Sequence, residues 1–320
     1  MKAAVVSAFD TPPSYGDFPD PAPAGDDEIV VDVLAAGLHP RVRSQANGSH
    51  YTSTGELPLV PGVDGVGRGS DGLLRYFALS DATLGSMAER TVIDTRRSIV
   101  LPDGIDPVAV AAAMNPAMAS WVALRQRVQF QAGQSVLVLG AGNAGQIAVQ
   151  VAKLLGASRI VVAGRLHTGV AAGLRAAGAA DTVSLDGELD VAATRIGEVA
   201  SDVDVVLDYL WGEPTAAAMV AIITARADRS KPLTWVEIGS VAGTTAAIPS
   251  AALRAARLTV IGSGQGSVGG HEYLAELPAL AEAIAAGRID VDARAVPLAD
   301  VEQAWADTGA SHRIVLTPQS

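Results

Sequence analysis

Residues 136–157 read VLVLGAGNAGQIAVQVAKLLGA, and the order of residue types in this stretch decides the fold. Val136–Leu139 is a short apolar run with the length and composition of a buried strand. Gly140, Gly142 and Gly145 follow as G-x-G-x-x-G, and Ala144–Leu155 then repeats apolar residues at helical spacing until Gly156. Between a strand and a helix the three glycines have separate tasks. The first permits a tight turn, the second lets backbone N–H groups approach a pyrophosphate, and the third lets helix and strand pack closely. The helix N-terminus adds unpaired N–H donors and partial positive charge. Gly140, Gly142, Asn143, Ala144 and Gly145 are therefore the expected pyrophosphate ligands of a dinucleotide site.

The next strand bears on which dinucleotide. NAD-binding folds place Asp or Glu at its end to hold the ribose 2′-hydroxyl. Here residues 159–169 read RIVVAGRLHTG, with Gly164 at that position and Arg165 after it. A carboxylate repels a 2′-phosphate, whereas a guanidinium holds it in bidentate fashion. NADP(H) is the expected cofactor, with Gly164 and Arg165 at the 2′-phosphate. A solvated Arg165 is the plain alternative, and His167 and Thr168 read as solvated loop residues.

Beyond this pair, strand and helix alternate. Thr182–Leu185, Val203–Leu207, Thr234–Ile238 and Leu258–Gly262 read as further buried strands, with an Ala-rich helix ending near Gly178 and another helix near 191–200. Apolar strands alternating with helices indicate a parallel sheet covered on both faces. The first 110 or so residues differ. MKAAVV, EIVVDVLAAGL and ERTVI are β-branched segments separated by turn-rich stretches such as TPPSYGDFPDPAPAGDD. VAVAAAMNPAMASWVALRQRV (108–128) is Ala-rich, and Pro116 predicts two helical pieces meeting there. Leu274–Ala286 reads as a helix and Arg313–Leu316 as a final strand.

Composition narrows the chemistry. The chain has 320 residues, enough for two domains. A formal charge of −11 argues against nucleic acid and against an anionic membrane surface. No apolar run reaches the roughly 18–20 residues of a bilayer span, and MKAAVVSAFD shows no signal-peptide pattern; a cytoplasmic protein is expected. With no cysteine, thiolate chemistry and Cys-based zinc sites are removed, and no two of the five histidines have the i,i+4 spacing of a helical metal motif, so no metal is expected.

Taken in order, several segments resemble the medium-chain dehydrogenase/reductase superfamily over nearly the whole chain. LAAGLHPRVRSQANGSHYTSTGELPLVPGVDGVGR (34–68) resembles its Asn-Pro, G-x-Y and Pro-Gly-x-Asp-x-x-Gly signature. MASWVALRQRVQFQAGQSVLVLGAGNAG (118–145) resembles its junction and nucleotide-binding turn, and DVVLDYLWG, WVEIGSVAG and SHRIVLTP its later strands and close. The resemblance implies an α/β protein: a GroES-like, β-rich catalytic domain (1–112 and 266–320) and a doubly wound parallel-sheet Rossmann domain (113–265). With no cysteine, the matching branch is the zinc-independent, quinone oxidoreductase-like one. It implies hydride transfer from NADPH to a small electrophile, a quinone or an α,β-unsaturated carbonyl compound, with enoyl or alkenal reduction sharing every motif. The alternative of another class is a catalytically weak NADPH-binding redox sensor. It also implies a homodimer formed by edge pairing of LTVIGSG (258–264), an internal strand being the other reading.

Three departures stand out. His39 replaces the Asn before Pro40, Ala119-Ser120 replaces Thr-Ala before Trp121, and the segment after Gly67 is shortened to GSDGLLRYFALSD (69–81). His39 and Tyr51 are the expected catalytic residues, each able to donate to a substrate oxygen; a hydrogen-bonded loop His and a structural Tyr are the plain readings. Asp64 reads as structural, holding a turn after Gly62. Tyr209 and Ser240 follow strand ends on the cofactor side, so one of them is expected to touch the cofactor. Arg313 matches the closing Arg and is expected at the cofactor or the cleft, against a surface salt bridge. Trp121 and Trp211 read as packing residues.

Overall fold

The computed structural model describes residues 1–80, 82–264, 266–308 and 312–318. Asp81 and Ser311, at the edges of two segments quoted above, lie outside the described residues. The chain forms two compact units, Met1–Asn115 with Leu274–Ser320, and Pro116–Tyr273. Both divisions fall inside helices, a little later than the expected domain bounds after 112 and 265.

The first unit begins with β1 (Lys2–Val5), β2 (Ser14–Asp17), β3 (Glu28–Gly37), α1 (Pro40–Ala46), β4 (Asp64–Gly69), β5 (Leu74–Ala78), β6 (Arg90–Asp94) and β7 (Ser98–Val100). β3 is its spine, pairing antiparallel with both β4 and β6. Val31, Val33 and Ala36 of β3 enter a core with Ala3, Phe77, Met87 and Ile93. His39 is extended (φ −141°) and Pro40 opens α1, where a missing N–H costs nothing. The shortened segment 69–81 is more than a turn. β4 and β5 form a hairpin from Asp64↔Ala78 to Arg68↔Leu74. Arg75, a charge within an apolar strand, hides the pattern; its guanidinium is buried and fixed by Asp71 at 2.6 and 2.8 Å.

The helix α2 (Pro107–Val122) corrects a second expectation, since it runs through Pro116 without ending there. Pro116 forfeits one backbone hydrogen bond, and burial of Met114, Ala117, Met118 and Trp121 around it holds the helix together. The regular α-helix gives way further on, in a π-helical turn at Ala123–Val128 that closes on Gln129 at φ 54°. Residues 107–128 together are long and apolar enough to cross a membrane, contrary to the run-length reading. Of the 18-residue window that meets the test, 72% is buried inside the protein, as for a core helix.

The second unit carries β8 (Ser135–Leu139), α3 (Asn143–Leu154), β9 (Arg159–Gly164), α4 (Val170–Ala177), β10 (Asp181–Ser184), α5 (Leu189–Ala200), β11 (Val205–Asp208), α6 (Gly212–Ala225), β12 (Leu233–Glu237), α7 (Ser250–Arg254) and β13 (Leu258–Gly262). Its six strands are ordered β10-β9-β8-β11-β12-β13, and every pairing is parallel. All residues of β8 and β11 are buried, as a sheet covered on both faces requires. The order reverses between β8 and β11, the switch point where ligands bind in such sheets. β13 lies at the edge, paired among the described residues with β12 alone.

After α8 (Gly270–Ala285) the chain returns to the first sheet with β14 (Ala293–Pro297), α9 (Val301–Ala306) and β15 (Arg313–Thr317). β15 lies between β14 and β3, completing a sheet ordered β14-β15-β3-β4-β5-β7.

Candidate cofactor and active site

The glycine-rich turn shows three glycines under three different constraints. Gly140 has φ 121°, and its N–H donates to Ala163 O at 2.7 Å, tying the turn to β9. A Cβ at Gly145 would collide with Gly140 O, so this position sets how closely α3 packs on the turn. Gly142 is different. It has an ordinary φ of −71° and nothing within 4 Å of an added Cβ, so neither backbone strain nor packing requires a glycine here. It caps α3 without a side-chain acceptor, and the first helical bond runs from Gln146 N to Gly142 O at 2.9 Å. The N–H groups of Asn143, Ala144 and Gly145 thus have no intrahelical acceptor. Open space in front of uncapped donors fits a dinucleotide pyrophosphate.

At the end of β9 the absence of an acid has a steric cause. A Cβ at Gly164 would lie 2.5 Å from Ala141 N and 2.6 Å from Ala141 Cβ. The turn itself fills the space that a side chain needs. Arg165, His167 and Thr168 are exposed on the following loop.

The ends of β11 and β12 are organised by Asp208, a fully buried carboxylate that sequence reading passed over. Oδ1 accepts from Leu210 N at 2.9 Å and Trp211 N at 3.0 Å; Oδ2 accepts from Thr215 Oγ1 at 2.6 Å and Trp235 Nε1 at 2.8 Å. These bonds hold Trp211 at φ 53° and ψ −165°, a region that is costly for a non-glycine residue. The signal available was a lone Asp ending an apolar strand before a helix. Tyr209 is buried, and among the described residues its hydroxyl, turned toward Ser120, makes no well-formed hydrogen bond. Burial pushes its ionisation well above that of a free phenol. Ser240 is exposed two residues beyond Ile238.

In the first unit, His39 and Asp64 meet in a buried polar cluster. His39 Nε2 lies 3.2 Å from Asp64 Oδ1, and Tyr76 donates to Asp64 Oδ2 at 2.8 Å. Asp64 therefore opens a strand and binds two side chains, which corrects its reading as a turn residue. His39 is 4% exposed, and burial lowers its pKa despite the opposing pull of Asp64, with Arg313 and Arg41 adding to the lowering. Donation from Nε2 to the carboxylate leaves a neutral ring its lone pair at Nδ1. The contact with Asp64 fits the plain reading of His39 as a hydrogen-bonded His.

Arg313 is also buried, with Nη1 3.5 Å from Leu38 O, so it is no surface salt bridge. It belongs to the first unit, whereas the glycine turn belongs to the second. Tyr51 is 74% exposed, its ring 4.3 Å from that of His50. Trp121 is buried and Trp211 half-buried.

No family model matches the chain. A protein of Emericella nidulans described as "Probable NADPH-dependent quinone reductase" is 28% identical over 99% of this chain and all of its own length. The Thermus thermophilus quinone oxidoreductase, whose structure was solved alone and with NADPH, has a TM-score of 0.79 at 25% identity, covering 99% of this chain and 100% of that one. Over nearly its whole length this chain is therefore similar to quinone reductases known from sequence and from structure. The Arabidopsis thaliana NADPH-dependent alkenal/one oxidoreductase is 33% identical over a shorter region, 42% of this chain and 39% of its own.

Proposed function

We propose that this protein is an NADPH-dependent reductase that passes hydride to a quinone or an α,β-unsaturated carbonyl compound without zinc. The observation that carries the reading is the turn at Gly140–Gly145, open in front of Gly142 and uncapped, with no acid accommodated at Gly164 and Arg165 next to it. The full-length relative described as an NADPH-dependent quinone reductase agrees with it. Bound NADPH supplies the hydride. Gly142, Asn143, Ala144 and Gly145 would hold the pyrophosphate and Arg165 the 2′-phosphate. Tyr209 and Ser240, at the switch-point end of the sheet, are assigned to the cofactor side, and Arg313 to support of the His39–Asp64 cluster. Tyr51, an exposed phenol, is the donor assigned to the substrate oxygen, with His39 accepting at Nδ1. The zinc-free reading rests on the absence of cysteine.

Oxidation of NADPH, with NADH in parallel, against ortho- and para-quinones and conjugated enones tests the function. Turnover of one class is expected, with NADPH favoured and Arg165→Glu losing about tenfold or more in kcat/KM for NADPH. Binding of NADPH without turnover on any of them would overturn the reductase reading in favour of the redox sensor.

We also assign a homodimer joined through β13. Among the described residues this edge strand pairs with β12 only, and Thr259 and Val260 are exposed on it; a second copy would cover the free edge. Light scattering is expected to give twice the chain mass of 32.5 kDa, and Val260→Lys to halve it. A monomeric wild-type protein would end this assignment. A cytoplasmic location goes with the reductase reading, the apolar 107–128 segment being mostly buried within the protein.

A further inference from the structure

The carboxylate that Gly164 has no room for is supplied by the neighbouring strand. Ser184 of β10 pairs with Gly164, and Leu185 N donates to Gly164 O at 2.9 Å. The chain then sets Asp186 against the loop that follows β9. Asp186 Oδ2 accepts from Leu166 N at 3.0 Å and from Ser184 Oγ at 2.8 Å. Leu166 lies between Arg165 and His167, so the carboxylate is fixed to the backbone of the loop that carries both exposed donors. The hydrogen bonds from Ser184 and Leu166, with His167 and Arg165 acting through space, hold Asp186 below the usual carboxylate range.

We propose that Asp186 is a specificity-determining residue, a counter-charge that weakens the preference for a 2′-phosphate created by Arg165 and His167. The inference rests on the NADPH reading above. A 2′-phosphate brought to this loop is attracted by two donors and repelled by one fixed carboxylate, whereas a 2′-hydroxyl finds an acceptor there. Asp186 thus narrows the difference between NADPH and NADH that Arg165 alone would give.

Calorimetric binding of 2′,5′-ADP and of 5′-ADP to the full chain separates charge from scaffolding. Asp186→Asn keeps an oxygen for Leu166 N and removes the charge. It is expected to bind 2′,5′-ADP about 3- to 10-fold more tightly at low ionic strength, with the gain shrinking at 0.5 M salt, since the group is exposed. Binding of 5′-ADP is expected to change by less than about twofold, because it lacks the 2′-phosphate that the counter-charge acts on. Asp186→Ser, which also offers an oxygen without charge, should behave alike and serves if the Asn variant melts below wild type. Unchanged or weaker 2′,5′-ADP binding by the folded variants would overturn the proposal. So would equal weakening of both ligands, which would mark an adenosine contact instead. If wild type fails to prefer 2′,5′-ADP over 5′-ADP, the NADPH reading itself falls, an outcome distinct from any effect of Asp186→Asn.

Discussion

Gly142→Asp is expected to lose at least about 100-fold in NADPH affinity while melting no lower than the wild-type protein. The two halves of this result have separate causes. Gly142 has a φ of −71°, and a Cβ there meets nothing within 4 Å, so the substitution introduces neither strain nor a clash. Asp is a preferred helix N-cap where Gly is only acceptable, and its charge faces the positive end of α3, so the fold gains a few tenths of a kcal/mol. The same carboxylate occupies the space in front of the uncapped N–H groups. At about 4 Å and an effective dielectric near 20, one unit charge against another costs about 4 kcal/mol; a 100-fold loss needs about 2.8 kcal/mol. Fluorescence titration with NADPH and a thermal melt check both halves. Wild-type affinity in the variant would show that the pyrophosphate binds elsewhere.

Asp208→Ala is expected to cost about 4 kcal/mol or more of stability, with Asp208→Asn in between. The carboxylate is fully buried and accepts four hydrogen bonds, from Leu210 N, Trp211 N, Thr215 Oγ1 and Trp235 Nε1. A hydrogen bond to a charged acceptor contributes about 1.5–3 kcal/mol, and removing the acceptor leaves the buried Thr215 and Trp235 donors without this partner. Against a total stability of about 5–15 kcal/mol this is a large fraction. The Trp211 backbone, at φ 53°, also loses the bond that compensates its strain. Urea denaturation of wild type and both variants measures the effect. A loss under about 1 kcal/mol in the Ala variant would mean that water or a rearranged turn replaces the carboxylate.

The parallel-sheet half was legible in the sequence because its physics is local. Strands buried on both faces must be apolar throughout, and the phosphate turn must carry glycines at set positions, so β8, α3 and β9 can be read almost to the residue. The β-rich half was less legible because partners far apart in sequence decide it. Arg75 interrupts the pattern of β5 and is explained only by Asp71 folding back onto it. Asp64 looked like a turn residue, and the partner of His39 could not be named, because no local rule includes the contact between them, 25 positions apart. Pro116 misled for the opposite reason. A local rule predicted a break, and burial of most of α2 outweighed the single hydrogen bond lost.

The position of β15 sets an order of assembly for a chain made from its N-terminus. β3 must wait for this neighbour, which joins it through Val315↔Gly37 and Leu316↔Ala36, until the whole nucleotide-binding unit has been synthesised. During that interval the β3 backbone at this edge is an unsatisfied template, of the kind on which nascent chains mispair. Arrival of β15 closes the edge and in the same step brings Arg313 to Leu38 O and to the surroundings of Asp64. The polar cluster around His39, which has Arg41 near it from the start, therefore gains Arg313 last.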